Sequence, residues 1–286
     1  MKAEVLAVVL GLVSAVTLAL VNTAVKIAGD ILVARSVLSV TAALVTLPGL
    51  LLVGAPDPGT VAALVWAIPA HLFYQFCLVR AMTHGDLSLV FPVMRGLAPL
   101  LTAISAWGLL GERLNPAGWA ALLVATAAII VFALPPRGVS LRRHPDARAL
   151  LWAGGTAIGV ALYSATDARG VRAGSDPLDY IVWLFLLDWV GITLVALTLR
   201  RRAYLAAAVM QWRTAVTAGL LSVASFGAAL FAMTLVEVAK VSALRETAVV
   251  FAALMGALLL KEGFGGRRIA AAAVLAAALI ALQFAG

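Results

Sequence analysis

The chain has 286 residues, 64% of them hydrophobic and 12% charged, with a formal net charge of +8. Soluble domains hold roughly 45–50% apolar residues, so this composition excludes a water-soluble globule and describes an integral membrane protein. The basic balance does not point to nucleic acid, because no soluble surface is left to carry it and cationic residues in such chains mark cytoplasmic loops.

A span needs about 20 apolar residues to cross about 30 Å of hydrocarbon. Apolar runs between turn-forming residues predict ten spans, at 4–27, 30–53, 60–83, 87–110, 116–134, 149–171, 178–199, 212–236, 241–260 and 266–285. The breaks carry turn chemistry, among them Pro56-Asp57-Pro58-Gly59, Asn115-Pro116 and Ser175-Asp176-Pro177. The first run resembles a signal peptide, but its one early cation, Lys2, is offset by Glu4, and it is read as a retained helix.

In span 1, Ser14, Leu18, Asn22 and Lys26 recur on one helical face; in span 3, His71, Tyr74, Gln75 and Leu78 do the same. Both polar stripes are predicted to line a cavity, the bland alternative being interhelical hydrogen bonds. Arg35 in span 2 reads as one half of a structural pair. Cys77 has no second thiol and offers neither a disulfide nor a thiolate metal site. Span 4 flanks Arg95 with Pro92 and Pro99, which predicts a broken or kinked helix whose freed carbonyls and half-helix ends suit an anionic group.

Span 6 puts Gly159, Tyr163, Asp167 and Gly170 on one face, giving close approach and two polar handles. Asp188 sits deep in span 7 between Trp183 and Trp189, which read as packing residues. Arg245 and Glu246 are adjacent in span 9, about 100° apart on a helix, so they must look to different neighbours. Spans 5 and 10 hold almost no polar side chains and read as packing elements.

Arg95 and Glu112 are echoed by Arg245 and Glu262, 150 positions later. A charge at a fixed place in two apolar segments is costly, so its recurrence implies a duplicated unit. Five spans per unit is odd, and the second unit must enter the bilayer inverted. The expected division is a first repeat at 1–136, a linker loop at 137–148 and a second repeat at 149–286. Arg95 and Arg245 fall within spans, toward the substrate path, whereas Glu112 and Glu262 fall at the membrane edge, where fixing turns accounts for them. Lys26, Arg80, Arg137, Arg142, Arg143, Arg148, Arg200, Arg201, Arg202, Arg213, Lys261, Arg267 and Arg268 lie in or beside the odd-numbered loops and outnumber Lys2, Arg113, Arg169, Arg172 and Lys240 opposite. The positive-inside rule then puts the odd loops in the cytoplasm and both termini outside.

No GxSxG, HExxH, CxxC or P-loop is present, and His71, His84 and His144 are not spaced as metal ligands. No enzyme activity, metal or cofactor is expected, and any pumping must draw on an ion or substrate gradient.

The stretch His84-Gly85-Asp86-Leu87-Ser88-Leu89-Val90-Phe91-Pro92, with Pro99-Leu100-Leu101 and Leu110-Gly111-Glu112-Arg113-Leu114, resembles the EamA domain of the drug/metabolite transporter superfamily. A second copy, from Arg245-Glu246 through Leu260-Lys261-Glu262, is similar but has Ser242 and Val249 where Pro92 and Pro99 would stand. The resemblance implies ten-helix, inverted-repeat carriers of amino acids, nucleosides, nucleotide sugars or amphipathic drugs, with a central cavity from the first four helices of each half. It also implies cytoplasmic termini, against the charge count. His84 to Gly96 is similar to members associated with phosphonate utilisation.

The expectation is therefore an all-α integral membrane protein of ten transmembrane helices in two inverted five-helix repeats, in a bacterial inner membrane, as a monomer or homodimer. Its predicted function is proton- or gradient-coupled, alternating-access export of a small polar or zwitterionic metabolite such as an amino acid. The other readings are an amphipathic drug or lipid-precursor exporter or flippase, a phosphonate-related carrier, or a non-transporting scaffold. The predicted substrate-binding residues are Asn22, His71, Tyr74, Gln75, Arg95, Tyr163, Asp167, Arg245 and Glu246, with Arg95 or Arg245 for an acid group and Asp167 or Glu246 for an amine or proton.

Overall fold

The computed structural model describes residues 2–133, 147–173 and 176–248, together with 251, 270, 273, 274, 277, 278 and 281. Among them all regular structure is helical: α1 (Lys2–Ile27), α2 (Ile31–Thr46) continued by a 3₁₀ turn (Leu47–Leu51), α3 (Pro58–His84), α4 (Leu87–Leu110), α5 (Pro116–Ala133), α6 (Ala147–Ala173), α7 (Pro177–Arg200), α8 (Ala203–Ala232) and α9 (Val238–Glu246). Seven of these, α1 to α4 and α6 to α8, are long and apolar enough to cross a membrane. Most of predicted spans 9 and 10, and Glu262, lie outside the described residues. Two corrections concern the helices. α4 is one unbroken helix through positions 92 and 99, so no half-helix ends form beside Arg95. α8 begins at Ala203, before its predicted start at 212, because the apolar run Tyr204 to Met210 extends the helix back to the Arg200-Arg201-Arg202 cluster.

The punctuation read from sequence becomes helix starts. Asp57 caps α3 by accepting from Gly59 N (2.8 Å) and Thr60 N (3.0 Å), with Pro58 in the first turn where no N–H is needed. Asp176 caps α7 through Leu178 N (2.9 Å) ahead of Pro177, and Asn115 accepts from Gly118 N (2.8 Å) at the start of α5. Gly111, at φ 71°, closes α4 in the left-handed conformation. Lys26 donates to the Met82 and Gly85 carbonyls (2.7 and 2.8 Å), covering the open end of α3 with a cation from α1.

The packing is reciprocal. α1 packs on α8 and α3 on α6; α4 packs on α6 and α1 on α9; α2 packs on α8 and α3 on α7; α2 and α7 pack on each other. At the α3–α6 contact, a Cβ placed on Gly159 would lie 2.7 Å from Tyr74 Cα, so only glycine permits the approach. A Cβ on Gly170 would fall inside the Tyr180 ring, which closes α7 onto the same face. Large apolar side chains such as Val9, Leu12, Val65, Trp66, Leu151, Ile158, Leu194 and Leu205 point outward. In water that surface would be a liability; in a bilayer it faces hydrocarbon.

At one end of the bundle Asp30 caps α2 through Leu32 N (3.1 Å) and Val33 N (3.2 Å) and pairs with Arg200 of α7, while Gln211 of α8 bonds its backbone N–H and carbonyl (3.1 Å each). Partial burial works to raise the Asp30 pKa. The Arg200 hydrogen bond and the capping N–H groups outweigh it and hold the carboxyl below its ordinary value. A depressed carboxyl stabilises the fold above its unfolded-state value, and that contribution is lost as pH falls through the folded-state value. Asp30→Ala is expected to cost about 1 kcal/mol of stability at neutral pH, measured as a lowered thermal midpoint in detergent, with the gap to wild type closing on acidification.

Candidate functional site

Seven helices converge on one cavity. Asn22 of α1, Arg35 and Ser39 of α2, His71 and Tyr74 of α3, Tyr163 of α6, Asp188 of α7, Ser222, Ser225 and Phe226 of α8 and Arg245 of α9 line it, with apolar residues such as Leu18, Leu38 and Leu184 between them. Its volume is about 50 Å³, room for about three or four waters and too little for a metabolite. Phe226 stands edge-on to His71 (5.4 Å between centroids) and to Tyr163 (5.7 Å), and the His71 and Tyr163 rings stack at 4.5 Å.

A continuous polar chain runs through one wall. Tyr180 Oη donates to Asp167 Oδ1 (2.7 Å), and His71 Nε2 contacts Asp167 Oδ2 at 2.9 Å. The other ring nitrogen, Nδ1, faces Asp188 Oδ1 at 3.7 Å. Gln75 Nε2 donates to that same oxygen (2.7 Å), while its Oε1 accepts from Arg35 Nε (3.3 Å) and Ser39 Oγ (3.2 Å). Seven side chains from four helices thus hold one another in place, and both carboxylates among them have a donor.

Arg245 is different. It is 3% exposed and lines the cavity, yet its Nε has no hydrogen-bond partner among the described residues; its guanidinium stands 5.3 Å from the Phe226 ring centroid. Taking a cation out of water costs several kcal/mol unless something pairs with it. Arg245 is thus a buried cation at the cavity wall, with Nε left unbonded among the described residues.

Of the predicted binding residues, Asn22, His71, Tyr74, Tyr163 and Arg245 line the cavity. Asn22 is satisfied within its own helix through Leu18 O (2.8 Å). Gln75 and Asp167 form a second layer, holding the lining side chains rather than facing the space. Arg95 is buried beside Phe91, its Cζ 5.8 Å from the ring, and lies away from the lining. Glu246 is the last residue of α9, and its side chain lies outside the described residues. Arg35, expected to make a structural pair, bonds Gln75 but also faces the cavity. Sequence reasoning missed Asp188 as a site residue, and Tyr180 altogether. The available signal was an acid deep in an apolar span.

At the end opposite Asp30, Glu112 accepts from Arg172 Nη1 (2.6 Å) and from Val238 N (3.2 Å), and Arg172 reaches the Met233 and Val236 carbonyls (3.0 and 3.2 Å). Glu112 therefore fixes turns, as its membrane-edge position implied, and ties the ends of α4 and α6 to the start of α9.

Residues 147–283 match the EamA-like transporter family. A solved structure titled "Crystal structure of protein", 19% identical in sequence, superposes with a TM-score of 0.70 over 98% of this chain and 94% of its own, and so shares the fold. No curated protein matches the chain.

Proposed function

Because this chain is a membrane protein of the EamA-like transporter family, we propose that it is a secondary carrier that exports a small zwitterionic metabolite bearing an acid group. The observation that carries the reading is Arg245, a buried guanidinium at the wall of a cavity that Asp188 also lines, with Nε unbonded among the described residues. Arg245 receives the carboxylate or phosphonate, Asp188 faces the amine, and Tyr74 and Tyr163 orient the molecule between them. A non-transporting scaffold would pair each buried cation internally, since nothing else offsets its desolvation; Arg245 argues against it.

In this reading the units at 1–136 and 149–286 are inverted repeats of five spans, and rocking of one against the other exposes the cavity to each side in turn. The reciprocal helix packing supports the reading: exchanging α1 with α6, α2 with α7, α3 with α8 and α4 with α9 maps each of those contacts onto another of the set, and the α2–α7 contact onto itself. The direction of α6 supports it as well. The C-terminal end of α3 meets both Lys26 at the end of α1 and Ala149 at the start of α6, so α6 runs opposite to α1. Equilibrium counterflow in proteoliposomes tests the substrate class, with a panel of amino acids and 2-aminoethylphosphonate set beside simple amines without an acid group and amphipathic cations. Exchange confined to compounds with an acid group is expected; exchange of amphipathic cations alone overturns it.

A further inference from the structure

We infer that His71, set between Asp167 and Asp188, is the site at which this carrier binds the proton that drives it. The inference rests on the carrier reading and names the coupling ion and the atom that takes it. Both ring nitrogens of His71 face carboxylates: Nε2 lies 2.9 Å from Asp167 Oδ2 and Nδ1 lies 3.7 Å from Asp188 Oδ1. A neutral imidazole has one N–H. With that proton on Nε2, bonded to Asp167, the Nδ1 lone pair is left pointing at an anionic oxygen. Protonation of Nδ1 turns that repulsion into an ion pair.

Side-chain exposure falls along the chain, from 17% at Asp188 to 6% at His71 and 0% at Asp167. A proton from cavity water therefore reaches Asp188 first, passes to Nδ1, and stops there. Asp167, which accepts from Tyr180 Oη at 2.7 Å, holds the ring from the Nε2 side. On release the same proton leaves Nδ1 by way of Asp188 to water on the other side, and no other bond changes. The charges facing His71 make the step matter. Arg35 approaches from α2, Asp188 from α7 and Asp167 from α6, with Tyr163 and Tyr180 beside them, while Arg245 of α9 lines the same cavity. The added proton makes the cavity more positive by one charge. An amine entering beside Asp188 opposes that charge, so proton and zwitterion exclude each other, which is the requirement for exchange transport.

Two measurements test this. In the full-length protein labelled with ¹⁵N-histidine and held in lipid nanodiscs, the His71 signal, identified by its loss in His71→Gln, is expected to gain and lose the Nδ1 proton between about pH 5 and about pH 9. Asp188→Asn should displace that titration. A ring locked in one state across the range overturns the proposal, and this arm needs no substrate. In proteoliposomes, using radiolabelled L-alanine and 2-aminoethylphosphonate, a pH gradient should drive accumulation by wild type. The ratio of gradient-driven uptake to exchange should fall at least about tenfold in His71→Gln or, if that variant fails to fold, in His71→Asn. Wild-type exchange with no response to the pH gradient removes the proton and leaves the carrier. Absence of any exchange counts against the carrier reading, and the titration alone then decides on His71.

Discussion

Arg245→Ala is expected to lower exchange of the transported metabolite by about two orders of magnitude, because removing one partner of a buried charge pair costs roughly 2–5 kcal/mol and each tenfold corresponds to about 1.4 kcal/mol. The variant separates function from stability. Arg245 is 3% exposed and its Nε is unbonded among the described residues, so its burial is a cost to the fold. Truncating it should therefore hold or raise the thermal midpoint while transport collapses. Arg245→Lys keeps the charge without the planar fork and should recover only part of the activity. A destabilised Arg245→Ala protein would show instead that this cation is a structural partner.

Gly159→Val should fail at the level of the fold. The Cβ of any side chain there meets Tyr74 Cα at 2.7 Å, Tyr74 Cβ at 2.8 Å and Tyr74 N at 3.1 Å. Two of these are backbone atoms that no rotamer change relieves, so α3 and α6 must separate, at about 1–3 kcal/mol for overpacking or more. Separation also pulls His71 on α3 from Asp167 on α6, now 2.9 Å apart. A sharply lowered thermal midpoint and loss of exchange are expected together. Gly154→Ala on the same helix, where a Cβ meets nothing within 4 Å, is the control and should be neutral or slightly stabilising.

The helices were legible because the bilayer makes their signal simple: long apolar runs, ended by proline with an aspartate or asparagine cap. Asp57-Pro58, Asn115-Pro116 and Asp176-Pro177 each became a helix start. What misled was proline inside a span. α4 absorbs positions 92 and 99 without breaking, since a helix packed against α5, α6 and α9 is held by its neighbours. The repeat echo also gave Arg95 and Arg245 equal weight, yet only Arg245 lines the cavity. Helical spacing found His71, Tyr74 and Gln75 on one face of α3, but which of them meets the cavity and which stands behind it depends on α2, α6 and α7. Asp188 and Arg35 have no echo in the other half of the chain, and so carried no sequence signal beyond being charges in apolar spans. Their role comes from packing: both reach Gln75, from different helices.

Alternating exposure of the Arg245 cavity is tested most directly by a single cysteine at Ser222, which lines it, in a background where Cys77 is replaced by Ala. A membrane-impermeant thiol reagent applied from each side of oriented proteoliposomes should modify Ser222→Cys from both sides, and more slowly when 2-aminoethylphosphonate or an exchanged amino acid is present. Modification from one side only, indifferent to every compound in the panel, would contradict a carrier that opens its cavity to both faces of the membrane.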